Sequence, residues 1–118
     1  MIGSTRAVRV FARNRPTDLR KGFDGLYALV LNELGRDPLK GDLYLFVNTR
    51  RTSSKVLLWD GTGLCIYAKR LARNRFSKLW RDAAEVRTLQ MTHAELRLFL
   101  EGADLAGRLP ISPEEIHI

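Results

Sequence analysis

Seven cations crowd two short stretches of this chain. Arg50, Arg51 and Lys55 form the first group, and Lys69, Arg70, Arg73 and Arg75 the second. No acidic residue falls between Thr49 and Lys55 or between Gly61 and Arg81. The chemistry such a set can do is to neutralise an anion, and the phosphate backbone of nucleic acid is the obvious one. Arg9, Arg13 and Arg15 are secondary candidates, because the sequence does not place their strand within a sheet.

Catalytic arrangements are harder to assemble. Two-metal chemistry on nucleic acid needs carboxylates that converge on ions about 4 Å apart. Asp24, Asp42, Asp60 and Glu33 are the candidates, but Asp60 belongs to a hairpin turn and Asp24 to a helix start, both ordinary structural posts. There is no P-loop and no G-x-S-x-G, and residues 60–63 lack the glycine spacing of a dinucleotide site. Cys65 is the single cysteine and excludes an internal disulfide; its place in a strand reads as that of a small buried hydrophobe. His93 and His117 have no further ligand at metal-binding spacing. No catalytic residue, metal site or cofactor is expected.

Turn signals define the strands that carry the cations. Residues 55–70 (KVLLWDGTGLCIYAKR) read as two strands joined at Asp60-Gly61, a pair that readily takes the positive φ of tight hairpins. A second turn over residues 48–53 joins the apolar strand 43–47 to the first of these. Three strands running up, down and up put the 48–53 tip and the 69–75 exit at one end of the sheet. The cations collect there, and Asp60 lies at the other end. Strand 43–47 is apolar on both faces and is expected to be central. Residues 7–11 alternate apolar and polar, with Arg9 opposite Val8 and Val10, as a half-buried strand does.

Asp18 is the expected N-cap of a helix over residues 18–34, whose apolar positions Phe23, Leu26, Tyr27, Val30, Leu31 and Leu34 make one stripe ending at Gly35. Gly22 and Gly25 are unfavourable inside it. Close packing on the sheet is the preferred explanation, and a later start near Asp24 the other. Residues 76–80 and 86–91 either pair as a hairpin or are irregular. Thr92 and Glu95 make a capping box for a short helix ending near Gly102. Among the aromatics, Tyr44, Phe46, Trp59 and Tyr67 are expected mainly in the core, with Trp80 the one suspected of exposure.

At 118 residues with 45% hydrophobic content, the chain is expected to be one soluble globular domain, 1–104, with a docked or flexible tail over 105–118. The fold class expected is α+β: a mainly antiparallel sheet of four or more strands, one long helix on it, and a short C-terminal helix. Charge is uneven along the chain. Residues 1–81 hold 17 Lys/Arg against 6 Asp/Glu, a balance of +11, and residues 82–118 hold 3 against 7, a balance of −4. A basic body with an acidic tail region suits one surface for nucleic acid and another for a protein. No apolar run reaches the roughly 20 residues of a membrane span, and the N-terminus lacks a signal-peptide core, so a cytoplasmic location is expected.

The chain resembles a known family at these same residues. Residues 20–26 (RKGFDGL) after Pro16-x-Asp18, residues 41–48 (GDLYLFVN) leading to Arg50-Arg51, and residues 55–71 continuing to Arg75-Phe76 carry the likeness. The Leu-rich helix 92–102 completes it, so that it spans about residues 6–104. The family is that of the small TnpB-type accessory proteins encoded by the second frame of IS-sixty-six insertion sequences. The resemblance implies a protein that assists transposition, with a separate, larger protein as the transposase. The partners it implies are DNA at the element ends, the transposase and the element's other accessory protein. The function expected is non-catalytic DNA binding; the alternative is a protein–protein adaptor that uses the same basic surface. Oligomerisation through a strand edge or the tail stays open. Where the family often has Gly before Arg75, this chain has Asn74, which also tolerates left-handed φ.

Overall fold

The computed structural model describes residues 7–80 and 88–102. Five strands form one sheet: β1 (Val10–Arg13), β2 (Leu43–Val47), β3 (Ser53–Trp59), β4 (Leu64–Arg70) and β5 (Thr88–Met91). Helix α1 (Phe23–Asn32) connects β1 to β2, and α2 (His93–Leu100) follows β5. The order across the sheet is β4-β3-β2-β1-β5. All pairings are antiparallel except that of β1 with β2, where Val10 to Ala12 run parallel to Leu43 to Leu45. The α+β class expected from the sequence is the class observed.

The period of two along each strand sorts the core into two layers. Phe11, Tyr44, Phe46 and Leu57 point to one face, where Leu26 and Val30 of α1 cover them. Val10, Ala12, Leu45, Val47, Val56 and Met91 point to the other, under Leu96 and Phe99 of α2. Phe76 and Leu79 enter that second layer from the segment after β4. The β2 strand contributes to both layers, as its two apolar faces require.

Helix α1 departs from expectation at its start. It begins at Phe23 with Gly22 as N-cap and no side-chain cap. Asp18 instead turns back locally: its carboxylate accepts from the Arg20 amide at 3.0 Å and from the Arg20 guanidinium at 2.7 Å. Such i to i+2 bonding competes with helix and makes a turn. Gly25 is not explained by packing on the sheet; a Cβ there would sit 2.9 Å from Cβ of Lys21. The glycine thus admits the Lys21 stem against the first helical turn. The apolar stripe is also only partly buried, because Phe23 and Leu31 stay exposed.

The hairpin considered between residues 76–80 and 86–91 does not form. Residues 76–80 are not strand, residues 81–87 lie outside the described residues, and β5 pairs with β1. The apolar side chains decide this, since Phe76 and Leu79 are needed beneath α2. The capping box of α2 is present as read: the Glu95 amide donates to Thr92 Oγ1 at 3.0 Å and the Thr92 amide to Glu95 Oε1 at 2.8 Å. Thr92→Ala should lower stability by about 1 kcal/mol in urea unfolding, with the slope of the transition unchanged.

A candidate nucleic-acid interface

The basic end is built on the turn between β2 and β3. The Asn48 side-chain oxygen accepts from the Thr52 and Ser53 amides at 2.9 and 3.0 Å, and the Arg51 amide donates to the Asn48 carbonyl. These bonds hold Arg51 at φ +60°, where non-glycine residues are uncommon. The chain leaving β4 is then clamped across the turn. The Leu71 amide donates to the Thr52 carbonyl at 2.9 Å and the Phe76 amide to the Arg51 carbonyl at 2.7 Å. Asn74 takes φ +63°, the left-handed geometry that asparagine tolerates better than most residues.

This construction brings Arg50, Arg70, Arg73 and Arg75 to one end of the sheet, all exposed, with Lys69 half-buried beside them. Arg15 joins them. Because β1 runs parallel to β2, its C-terminal end lies at the same end, and the Thr17 amide is bonded to the Val47 carbonyl at 2.8 Å.

Other cations named from the sequence have structural partners. Arg51 donates to the Phe76 carbonyl at 3.2 Å and is half-buried. The Lys55 ammonium donates to the Lys21 carbonyl at 3.0 Å. Arg13, 14% exposed in its side chain, reaches Glu33 at 2.7 Å, the Pro16 carbonyl at 3.0 Å and Thr17 Oγ1 at 3.2 Å. Arg9 lies at the opposite end, where its amide and guanidinium both bond the buried carboxylate of Asp42. Its guanidinium carbon also sits 5.3 Å from the centre of the Phe11 ring.

One cation absent from the sequence reading belongs to the basic end. Arg20 is 91% exposed in its side chain and stands with Asp18 on the loop 16–20, across a shallow groove from Arg50. The groove continues past Leu19 to Lys55, Lys69 and Arg70. Only the parallel placement of β1 carries that loop here, so no local signal could have found Arg20. Its hydrogen bonds hold the Asp18 carboxyl well below the usual carboxylate range, so this acidic residue at the groove is already matched by a cation.

The carboxylates weighed for catalysis are dispersed. Asp42 is bonded to Arg9, Glu33 to Arg13, and Asp24 is exposed in the first turn of α1. Asp60 stands at the far end of the β3–β4 hairpin, accepting from the Thr62 and Gly63 amides at 2.9 Å and from Thr62 Oγ1 at 3.0 Å. Among the described residues no three His, Cys, Asp or Glu side chains cluster as metal ligands.

Three side chains differ from what the sequence predicts. Cys65 is half-buried, and its thiol donates to Asp60 Oδ2 at 3.4 Å, which pushes the thiol pKa up. Trp80 is not an exposed aromatic: it is partly buried against the second core layer, while Tyr67 is 52% exposed. The bonds from Thr62 and Gly63, with that from Cys65, lower the Asp60 pKa to about 2 from an ordinary 3.8. A folded-state pKa below the unfolded value adds stability above the unfolded pKa, and that stability is lost as pH falls through the folded one. The Asp60 carboxyl carbon should therefore titrate near pH 2 by NMR, with the amide shifts of Thr62 and Gly63 moving in step.

The site defines a class: a small basic α+β protein that presents arginines from the end of its sheet and from the loops joined to it. The chain belongs to the family described as IS66 Orf2 like protein, whose profile matches residues 8–108. It is 34% identical over 105 residues to an uncharacterized protein, y4jC, of Sinorhizobium fredii strain NBRC 101917 / NGR234, covering 88% of this chain and 86% of that one. A second uncharacterized protein of that strain, y4hO, is 36% identical over 104 residues, covering 88% of each chain. No solved structure matches significantly. The family is one of insertion-sequence accessory proteins, and the chain is therefore an accessory protein of an insertion sequence. Among the described residues no helix is long and apolar enough to cross a membrane.

Proposed function

We propose that the protein is a non-catalytic DNA-binding accessory factor of transposition, which holds phosphates at the ends of the element with its basic end. The observation that carries this reading is the group Arg50, Arg70, Arg73 and Arg75, exposed together with no carboxylate partner among the described residues. Lys69 and Arg15 extend the surface. Arg13, Arg51 and Lys55 act on it indirectly, by fixing the loops and turn that present the other cations. The asymmetry matters, because a one-sided cluster of cations is destabilised by its own repulsion and relieved by a polyanion. Contacts of this type position a protein on DNA without reading bases, so sequence preference should be modest.

Fluorescence anisotropy with element-end and scrambled duplexes, at low and near-physiological salt, tests the proposal. Binding that weakens steeply with salt and favours the element end by a small factor is the expected result. No DNA binding, with co-purification of the transposase or of the element's other accessory protein, would move the function to that of an adaptor.

A further inference from the structure

The outer edge of β4 is the longest open feature of the sheet. Its seven residues carry no proline, the ladder to β3 is continuous from Ser53↔Arg70 to Trp59↔Leu64, and nothing pairs with its other side among the described residues. The edge at β5, by comparison, has four residues. Long, regular open edges are the ones that recruit further strands.

The direction of the free main-chain groups follows from the ends of that ladder. The Asp60 amide bonds the Gly63 carbonyl, and the Leu71 amide bonds the Thr52 carbonyl. Both are members of the hydrogen-bonded set of pairs, which alternates along an antiparallel ladder. Cys65, Tyr67 and Lys69 therefore turn their amides and carbonyls inward to β3. Leu64, Ile66, Ala68 and Arg70 turn theirs outward, to the open edge.

Charge along the strand is polar in the same sense as its direction. Asp60 stands before β4, whereas Lys69, Arg70 and Arg73 stand at and beyond its end. A parallel partner copy would bring the cations together. An antiparallel copy brings the Arg70–Arg73 end of one chain beside the Asp60 turn of the other. Tyr67 is the middle residue of the strand, and its exposed ring lies on the face away from α1, beside Val56.

We infer that the protein forms a two-fold dimer by antiparallel pairing of β4 with β4 of a second copy, centred on Tyr67. In this register Ile66 faces Ala68 and Leu64 faces Arg70, the outward-turned residues that can exchange main-chain bonds. About eight such bonds form across the edge. The two Tyr67 residues meet at a non-hydrogen-bonded pair, where side chains approach most closely, with Cα atoms about 4.5 Å apart. The result is one continuous sheet with two basic ends related by the two-fold. It is independent of the DNA-binding proposal, since oligomeric state is read without DNA.

Sedimentation velocity of the full chain over a concentration series tests the inference, with three variants. Ala68→Pro removes an outward amide and so breaks none of the bonds to β3, a tolerated use of proline at an edge. Tyr67→Lys sets two like charges face to face and serves if the proline variant misfolds. Tyr67→Cys with Cys65→Ser places the only thiols at the two-fold, within disulfide reach. A concentration-dependent dimer is expected, weakened at least about tenfold by Ala68→Pro or Tyr67→Lys, and trapped by oxidation of the Tyr67→Cys variant. A protein that stays monomeric at every concentration overturns the inference. So does a dimer that is insensitive to these substitutions and is not trapped through position 67.

Discussion

The Arg50→Ala/Arg70→Ala double variant should bind element-end and scrambled duplexes about tenfold more weakly than the native chain, at both sequences alike. Both side chains are exposed at the basic end and are in no ion pair among the described residues, so their removal should leave the fold unaltered. Each phosphate contact that is lost should flatten the dependence of log affinity on log salt by about 0.9, so the slope should fall by about 2 for the pair. Arg51→Ala is the informative contrast. It removes the guanidinium bond to the Phe76 carbonyl and should lower thermal stability, because hydrogen bonds to charged groups contribute about 1.5–3 kcal/mol. Salt-dependent anisotropy together with thermal unfolding separates the two roles. Unchanged affinity in the Arg50→Ala/Arg70→Ala variant would contradict a basic surface for phosphates.

Phe76→Ala should be the most damaging single change, destabilising the protein by about 3–5 kcal/mol. Phe76 is fully buried and stacks on Phe99 of α2, with ring centres 4.9 Å apart and planes within 8°. Truncation leaves a cavity between the sheet and α2 and removes an aromatic contact of about 0.5–1.5 kcal/mol beyond area burial. A domain of this size is stable by about 5–15 kcal/mol, so a large share of the margin is lost. The same residue bonds Arg51 through both its main-chain amide and its carbonyl, tying the arginine-bearing loop to the turn. Phe76→Leu keeps most of the volume and all of those main-chain groups. Urea unfolding should show the large loss for alanine and a much smaller one for leucine, and DNA binding should follow the fraction folded. Equal losses for the two would mean that burial at this site does not hold the loop.

Much of the architecture was legible in residue order because its causes are local. Asp60-Gly61 and the polar run 48–53 specify two turns, and two turns between three apolar strands specify their up-down-up arrangement. Thr92 and Glu95 announce the start of α2 within four residues. The two apolar faces of residues 43–47 place that strand in the sheet interior. Each of these rests on near-neighbour geometry, which the chain carries wherever it folds.

The structure departs from local preference where a competitor is present. Asp18 has the chemistry of an N-cap, but Arg20 two residues later offered it a guanidinium and an amide, and the helix began at Phe23 instead. Residues 76–80 have apolar content that suits a strand or a packed loop, and the space beneath α2 decided for the loop. Trp80 sits in a basic stretch, yet its ring finds the same core layer.

The sequence alone determined that a cationic end exists, since covalent order forces the 48–53 turn and the 69–75 exit to the same end of the sheet. It could not determine which cations stand there or which of them are left without a structural partner. That depended on β1 pairing parallel to β2, which carries Arg15 and Arg20 to the basic end and leaves Arg9 at the far end against Asp42. It depended also on contacts between residues distant in the chain, which turn Arg13 and Arg51 inward as structural donors. Strand pairing and side-chain partnership are set by which surfaces fit together in three dimensions, and neither has a signature within a few residues of the groups it affects.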